Sequence, residues 1–131
     1  MAQALTSTLL PKPRFRYSPA VKAGPWIRVS GMIALDAMTS VLEPGGPGAE
    51  TAKIMANLIG ALPEFGIALD DLVAARIFTT RFEQFADINR AWEAAIDSMV
   101  TPPARTSVGV SALPLGASVE IEFEFYKDSA L

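Results

Sequence analysis

The chain contains no cysteine and no histidine. Without cysteine there is no disulfide and no thiol nucleophile. Without histidine, triads built on an imidazole base are excluded within the chain. The two absences together remove the donor sets of ordinary zinc sites, so no metal is expected. Acid–base work falls to carboxylates, tyrosine or lysine, a set suited to a reaction that needs positioning and one proton shuttle. Basic runs are missing as well. Lys and Arg number 11 against 14 Asp and Glu, a formal charge of −3, which argues against a nucleic-acid-binding groove. No apolar run approaches the ~20 residues of a membrane span. The N-terminus lacks a basic segment followed by a sustained apolar core, so no secretory signal is expected and the cytoplasm is the default location.

What the chain does have is apolar surface. Half of its 131 residues are hydrophobic and the mean hydropathy is +0.30. One small domain cannot hide that much in its own core, so an oligomer is expected. No break in composition divides the chain, which reads as an N-terminal arm over 1–16 and a single domain over 17–131. Pro11 and Pro13 break any helix in the arm, and an ordered entry strand and a loose arm both fit it. Short strands are predicted at about Ser18–Ala23, Trp26–Ser30 and Met32–Leu35, the first two joined by a turn at Gly24-Pro25. Trp26, Arg28 and Ser30 alternate with Ile27 and Val29, which turns the first three away from the helices.

Leu42–Gly48 reads as a loop whose Gly45-Gly46-Pro47 lacks the lysine and spacing of a phosphate cradle. Ile54, Leu58, Ala61 and Leu62 form one stripe of a helix from Glu50 to about Leu62, with Pro63 ending or kinking it and Gly66 closing the turn. Asp70-Asp71 resembles a metal pair but reads better as turn and cap residues. Leu72–Thr80 is a strongly apolar, central strand. A second helix runs from Asp87 to about Met99, burying Ile88, Ala91, Trp92, Ala95, Ile96 and Met99, with Asp87 favourable to its dipole. Pro102-Pro103 stops it. The order of elements gives an α+β sandwich with two helices on one sheet face.

The stretch from Pro102 to Tyr126 carries the chemistry. From Val119 onward apolar and acidic residues alternate strictly, the signature of a half-buried strand. Thr106, Val108 and Val110 alternate before the turn at Leu113–Gly116, which predicts an antiparallel hairpin. With the turn centred between Pro114 and Leu115, Val108 and Val110 share a face with Val119, Ile121, Phe123 and Phe125. The opposite face then collects Arg105, Ser107, Gly109 and Ser111 with Glu120, Glu122 and Glu124. Arg105 falls nearest Glu124, and Glu120 lies roughly 13 Å beyond at ~3.3 Å per residue. A small molecule bridging Arg105 and Glu120, and a solvated cross-strand pair of Arg105 with Glu122 or Glu124 worth ~0–1 kcal/mol, both fit that spacing.

The run Pro103-Ala104-Arg105-Thr106 with Leu113-Pro114-Leu115-Gly116-Ala117-Ser118-Val119-Glu120-Ile121-Glu122 closely resembles the signature of the RidA family, also called YjgF-type or, historically, L-PSP endoribonucleases. The resemblance extends through Tyr17-Ser18-Pro19-Ala20-Val21, Val29-Ser30-Gly31, Asn57-Leu58 and Phe85 to Trp92. It implies a chorismate-mutase-like mixed sheet of about six strands with two helices on one face, assembled as a homotrimer with pockets between subunits. It also implies hydrolysis of reactive enamines and imines such as 2-aminoacrylate to 2-keto acids and ammonia, with no cofactor. Arg105 matches the residue that grips the substrate carboxylate, and Glu120 the carboxylate that activates water and passes a proton to the departing amine. Tyr17, Ser30 and Asn89 match pocket-lining positions, and Ser107 stands where many members carry cysteine. Each has a plainer role available: Tyr17 as an interface aromatic, Ser30 as a strand-end hydroxyl, Asn89 as a helix-start residue bonded to local backbone. Arg14-Phe15-Arg16 replaces a common Gly-Pro before Tyr17, and Pro63 is atypical inside the helix. Alternatives are a deaminase of a larger enamine such as 2-aminomuconate, and a non-catalytic module that binds a small carboxylate. A ribonuclease fits poorly with the acidic balance and absent histidine.

Overall fold

A computed structural model describes residues 1–128; the last three residues of the domain expected over 17–131 lie outside the described residues. In chain order the elements are β1 (Gln3–Leu5), β2 (Ala20–Ala23), β3 (Trp26–Met32), α1 (Pro47–Phe65), β4 (Leu72–Thr79), α2 (Phe85–Ile96), β5 (Ala104–Gly109) and β6 (Val119–Tyr126). The strands form one six-stranded sheet in the order β1-β2-β3-β6-β4-β5. β5 runs parallel to β4, and every other neighbouring pair is antiparallel. The expected α+β fold with two helices over one face of a mixed sheet is the one found. Within the arm, Gln3–Leu5 pairs with β2 as an entry strand.

The alternation read in β6 is the backbone of the core. Val119, Ile121, Phe123 and Phe125 are fully buried against the helices, while Glu120, Glu122 and Glu124 stand on the other side, half-exposed. Both edges of β6 are occupied, by β3 and by β4. Ile27 and Val29 of β3 and Ala75 and Ile77 of β4 fill the same buried layer. From the helices, Ile54, Leu58, Leu62, Ile88, Trp92 and Ile96 close it.

The predicted hairpin does not form. β4 lies between β5 and β6, and β5 joins the sheet as its edge strand by parallel pairing with β4. Parallel neighbours need a crossover, which α2 provides, so β4, α2 and β5 make a strand–helix–strand unit. The faces change with the pairing. Arg105 lies opposite Ala75, and Ala75 opposite Phe123; Ser107 lies opposite Ile77, and Ile77 opposite Ile121. Arg105, Ser107 and Gly109 therefore share the helix-covered face with Phe123, Ile121 and Val119. Thr106 and Val108 share the open face with Glu122 and Glu120. Sequence alternation in β5 points the wrong way because nearly the whole strand is exposed, so its apolar residues do not report a core.

Smaller departures have local causes. β3 continues to Met32, without a break after Ser30, because a one-residue bulge absorbs the extra length: Val29 pairs with Phe123 and Met32 with Ile121. Leu35 makes only an isolated bridge to Leu42. Helix α1 begins at Pro47, whose missing N–H costs nothing in a first turn, and runs through Pro63 to Phe65. It ends at Gly66, φ 74°, as predicted. There the Gly66 N–H donates to the Pro63 carbonyl and the Ile67 N–H to that of Leu62, closing the helix in a left-handed cap. Asp71 acts as a turn residue, its carboxylate accepting the Ala68 N–H at 2.8 Å.

Candidate functional site

The residues singled out by sequence fall into two clusters on opposite faces of the sheet. The first lies where β5 crosses α2. Phe85, Asn89 and Trp92 recur at helical spacing and so present one face of α2 to the edge strand. Arg105 reaches over that face: its guanidinium carbon sits 5.4 Å from the ring centres of both Phe85 and Trp92. Its Nη2 donates to Asn89 Oδ1 at 2.8 Å. Two aromatic faces and one amide oxygen fix the plane of the guanidinium and leave most of its five N–H donors for a ligand. Among the described residues it makes no ion pair with Glu122 or Glu124. Those carboxylates are held instead by Arg76, at 3.3 and 3.2 Å, and Glu124 also by Arg28. Ser107 follows on the same face, and its buried Oγ has no hydrogen-bond partner among the described residues. A buried hydroxyl without a partner is unusual and costs stability.

The second cluster lies on the open face. A groove of about 850 Å³ is lined by Tyr17, Ser30, Gly31, Leu115 and Glu120, with Phe15 and Arg14 at its N-terminal rim. Tyr17 is exposed there. The Glu120 carboxyl is half-buried, and burial together with the neighbouring Glu122 charge pushes it above the ordinary glutamate value of 4.5. Ser30 does not offer its proton to the groove: its Oγ–H donates to the Ser18 carbonyl at 2.6 Å. That bond, with the Ser30 N–H to the Pro19 carbonyl at 2.9 Å, ties the segment carrying Tyr17 to the bulge of β3.

Three contributors escaped the sequence reading. Gly31 is the first: a Cβ built there meets Glu120 Oε2 at 2.6 Å, so the carboxylate rests in a notch that only glycine leaves open. Phe85 and Trp92 are the second, only Trp92 having been read as core, and together they form the seat of Arg105; their spacing with Asn89 was the available signal. Leu115 is the third, exposed at the groove wall with a left-handed φ of 56°, a conformation that costs a non-glycine residue about 1–2 kcal/mol.

Arg105, Asn89 and Ser107 are thus brought together, as are Glu120, Tyr17 and Ser30, but the sheet separates one group from the other within the chain. The first group can anchor a carboxylate; the second offers a proton-carrying acid in a partly dry groove.

The family model described as Endoribonuclease L-PSP matches residues 8–124. A RutC family protein of Pyrococcus abyssi is 32% identical over 118 residues, covering 90% of this chain and 91% of that one. A Dermatophagoides farinae protein named 2-iminobutanoate/2-iminopropanoate deaminase is also 32% identical over 118 residues, with 90% and 91% covered. Among solved structures, RidA from the Antarctic bacterium Psychrobacter superposes with a TM-score of 0.87 at 31% identity, covering 95% of this chain and 98% of that chain.

Proposed function

Since the chain belongs to the RidA (YjgF-type, L-PSP) family, we propose that it hydrolyses reactive enamines and imines of the 2-aminoacrylate/2-iminopropanoate type to 2-keto acids and ammonia, without a cofactor. The observation that carries this reading is Glu120, a half-buried carboxyl held above its usual pKa in the groove that also holds Tyr17. An acid tuned upward toward the working pH serves both directions of proton transfer. The deaminase name of the Dermatophagoides relative supports the same class of chemistry.

In the proposed reaction Arg105 pairs with the substrate carboxylate through paired N–H donors, an interaction on the order of 1.5–3 kcal/mol. Water attacks the imine carbon and gives a proton to Glu120 as the C–O bond forms. The C=N electrons move to nitrogen, which takes that proton back from Glu120 to give the carbinolamine. Glu120 then takes the hydroxyl proton as the carbonyl forms and passes it to the amine as the C–N bond breaks. Ammonia and the 2-keto acid leave. Asn89 holds the guanidinium, Ser107 offers its unpaired hydroxyl to the bound carboxylate, and Tyr17 and Ser30 shape the groove.

Because Arg105 and Glu120 occupy opposite faces of one sheet, a complete site needs a second copy. The chain is proposed to assemble as a homotrimer in which the β5 edge of one subunit closes over the open-face groove of the next. The same separation favours one other reading: without such assembly, the Arg105 cluster alone would be a carboxylate-binding module. The two are distinguished by generating 2-aminoacrylate with a dehydratase and following pyruvate. Accelerated pyruvate release that falls about 10–100-fold in kcat/KM in Arg105→Ala is expected; no acceleration over buffer would leave only the binding module.

A further inference from the structure

Glu50 sits in the first turn of α1, only 4% exposed, and nothing in the proposed chemistry uses it. Its carboxylate faces the start of β6. Oε1 accepts the Ser118 N–H at 2.9 Å and the Val119 N–H at 3.3 Å, while Oε2 accepts the Ser118 hydroxyl at 2.5 Å. Ser118 is held from the other side as well: its carbonyl accepts the Thr79 Oγ1–H at 2.7 Å and the Thr80 N–H at 3.1 Å. Thr79 is itself fully buried and takes the Arg81 N–H at 3.0 Å.

A buried carboxylate is costly unless its lone pairs are filled, and this one is filled wholly by the two residues that precede Glu120. Without that grip, the segment would enter the sheet from an exposed turn at Pro114–Gly116 that contains the left-handed Leu115. We infer that Glu50 is a positioning residue, a clamp from α1 that fixes the first residues of β6 so that the Glu120 carboxyl stays seated against Gly31. An acceptor with both oxygens free suits three donors from two consecutive residues, and the helix N-terminus favours its charge.

The inference rests on Glu120 as the proton carrier, so its test uses one readout that does not depend on turnover. The Glu120 carboxyl is titrated by carbon NMR in the full chain, alongside kcat and KM for 2-aminoacrylate. The ionisable groups lining the groove with Glu120 are Tyr17, Lys12 and Arg14 from the N-terminal segment, Arg28 from β3 and Glu122 from β6; from β4, Arg76 holds Glu122. All are kept in every variant.

In Glu50→Ala the carboxyl leaves its notch for water, so its titration moves down toward 4.5. kcat then falls about 10–100-fold, as expected for a misplaced group, while KM stays within about twofold. Glu50→Gln restores most of both, because its amide oxygen accepts the N–H groups and its amide N–H donates to Ser118 Oγ. Ser118→Ala removes only the hydroxyl bond and shifts both readouts the same way by less. A folded Glu50→Ala whose Glu120 titrates as in the unmodified chain overturns the inference. Where that variant does not fold, an unmoved titration in Ser118→Ala overturns it equally. If the unmodified chain fails to hydrolyse imines while the titration shifts as described, the clamp stands and the imine reading falls.

Discussion

A carboxyl group half out of water, beside another carboxylate, resists ionisation, and Glu120 meets both conditions. Its folded-state pKa lies above the unfolded value, so its contribution to stability is full below the unfolded value and is lost as pH rises through the folded one. Above the folded-state value the ionised group works against the fold. Glu120→Gln is therefore expected to raise the melting temperature at neutral pH and to leave it unchanged well below 4.5, while turnover falls about 10²–10⁴-fold. Thermal melts across pH, paired with the pyruvate assay, check both. Gly31 supplies a second prediction at this scale. A methyl group there overlaps the Glu120 carboxylate at 2.6 Å, while the site is exposed and its backbone lies outside the left-handed region. Gly31→Ala should leave the denaturant midpoint nearly unchanged and cut kcat more than it raises KM.

Elements show where sequence reading succeeds and where it stops. The period of β6 and the stripes of α1 and α2 were legible, because burial selects side chains at fixed spacing whatever lies next door. The neighbour of β5 was not. Periodicity says which side chains share a face of one strand and nothing about the strand it pairs with. Thr106, Val108 and Val110 alternate as though one face were buried, yet Val108 is exposed and Arg105 shares the helix side. The usable signal was the order of β4, α2 and β5, the spacing of a crossover unit. Arg105 and Glu120 were identified as chemistry-bearing residues by resemblance, but their relation in space was misjudged along with the hairpin. At the other end of the fold, the turn after α1 was readable from Gly66 alone. Since its φ is 74°, Gly66→Ala should cost about 1–2 kcal/mol in urea unfolding and leave turnover per folded molecule unchanged.

For the whole molecule, the apolar composition and the divided site point the same way. Trp26, Tyr126, Phe82, Val108, Leu115 and Phe15 remain exposed on the single chain, more large apolar surface than one small domain needs to leave in water. Among the described residues no helix is long and apolar enough to cross a membrane. The proposed assembly of like copies would cover such surface and unite the two clusters in one step. In the proposed trimer the head-to-tail contact closes into a ring, each subunit giving Arg105 to one site and Glu120 to another.

The most direct measurement mixes two impaired variants. Arg105→Ala and Glu120→Gln chains are purified, dissociated together, reassembled and assayed for hydrolysis of 2-aminoacrylate. Sites shared between neighbours predict that activity returns, to about a quarter of the unmodified level by random assortment around a cyclic oligomer. A mixture no more active than its two components, from oligomers shown to contain both chains, would contradict a site built from Arg105 of one copy and Glu120 of the next.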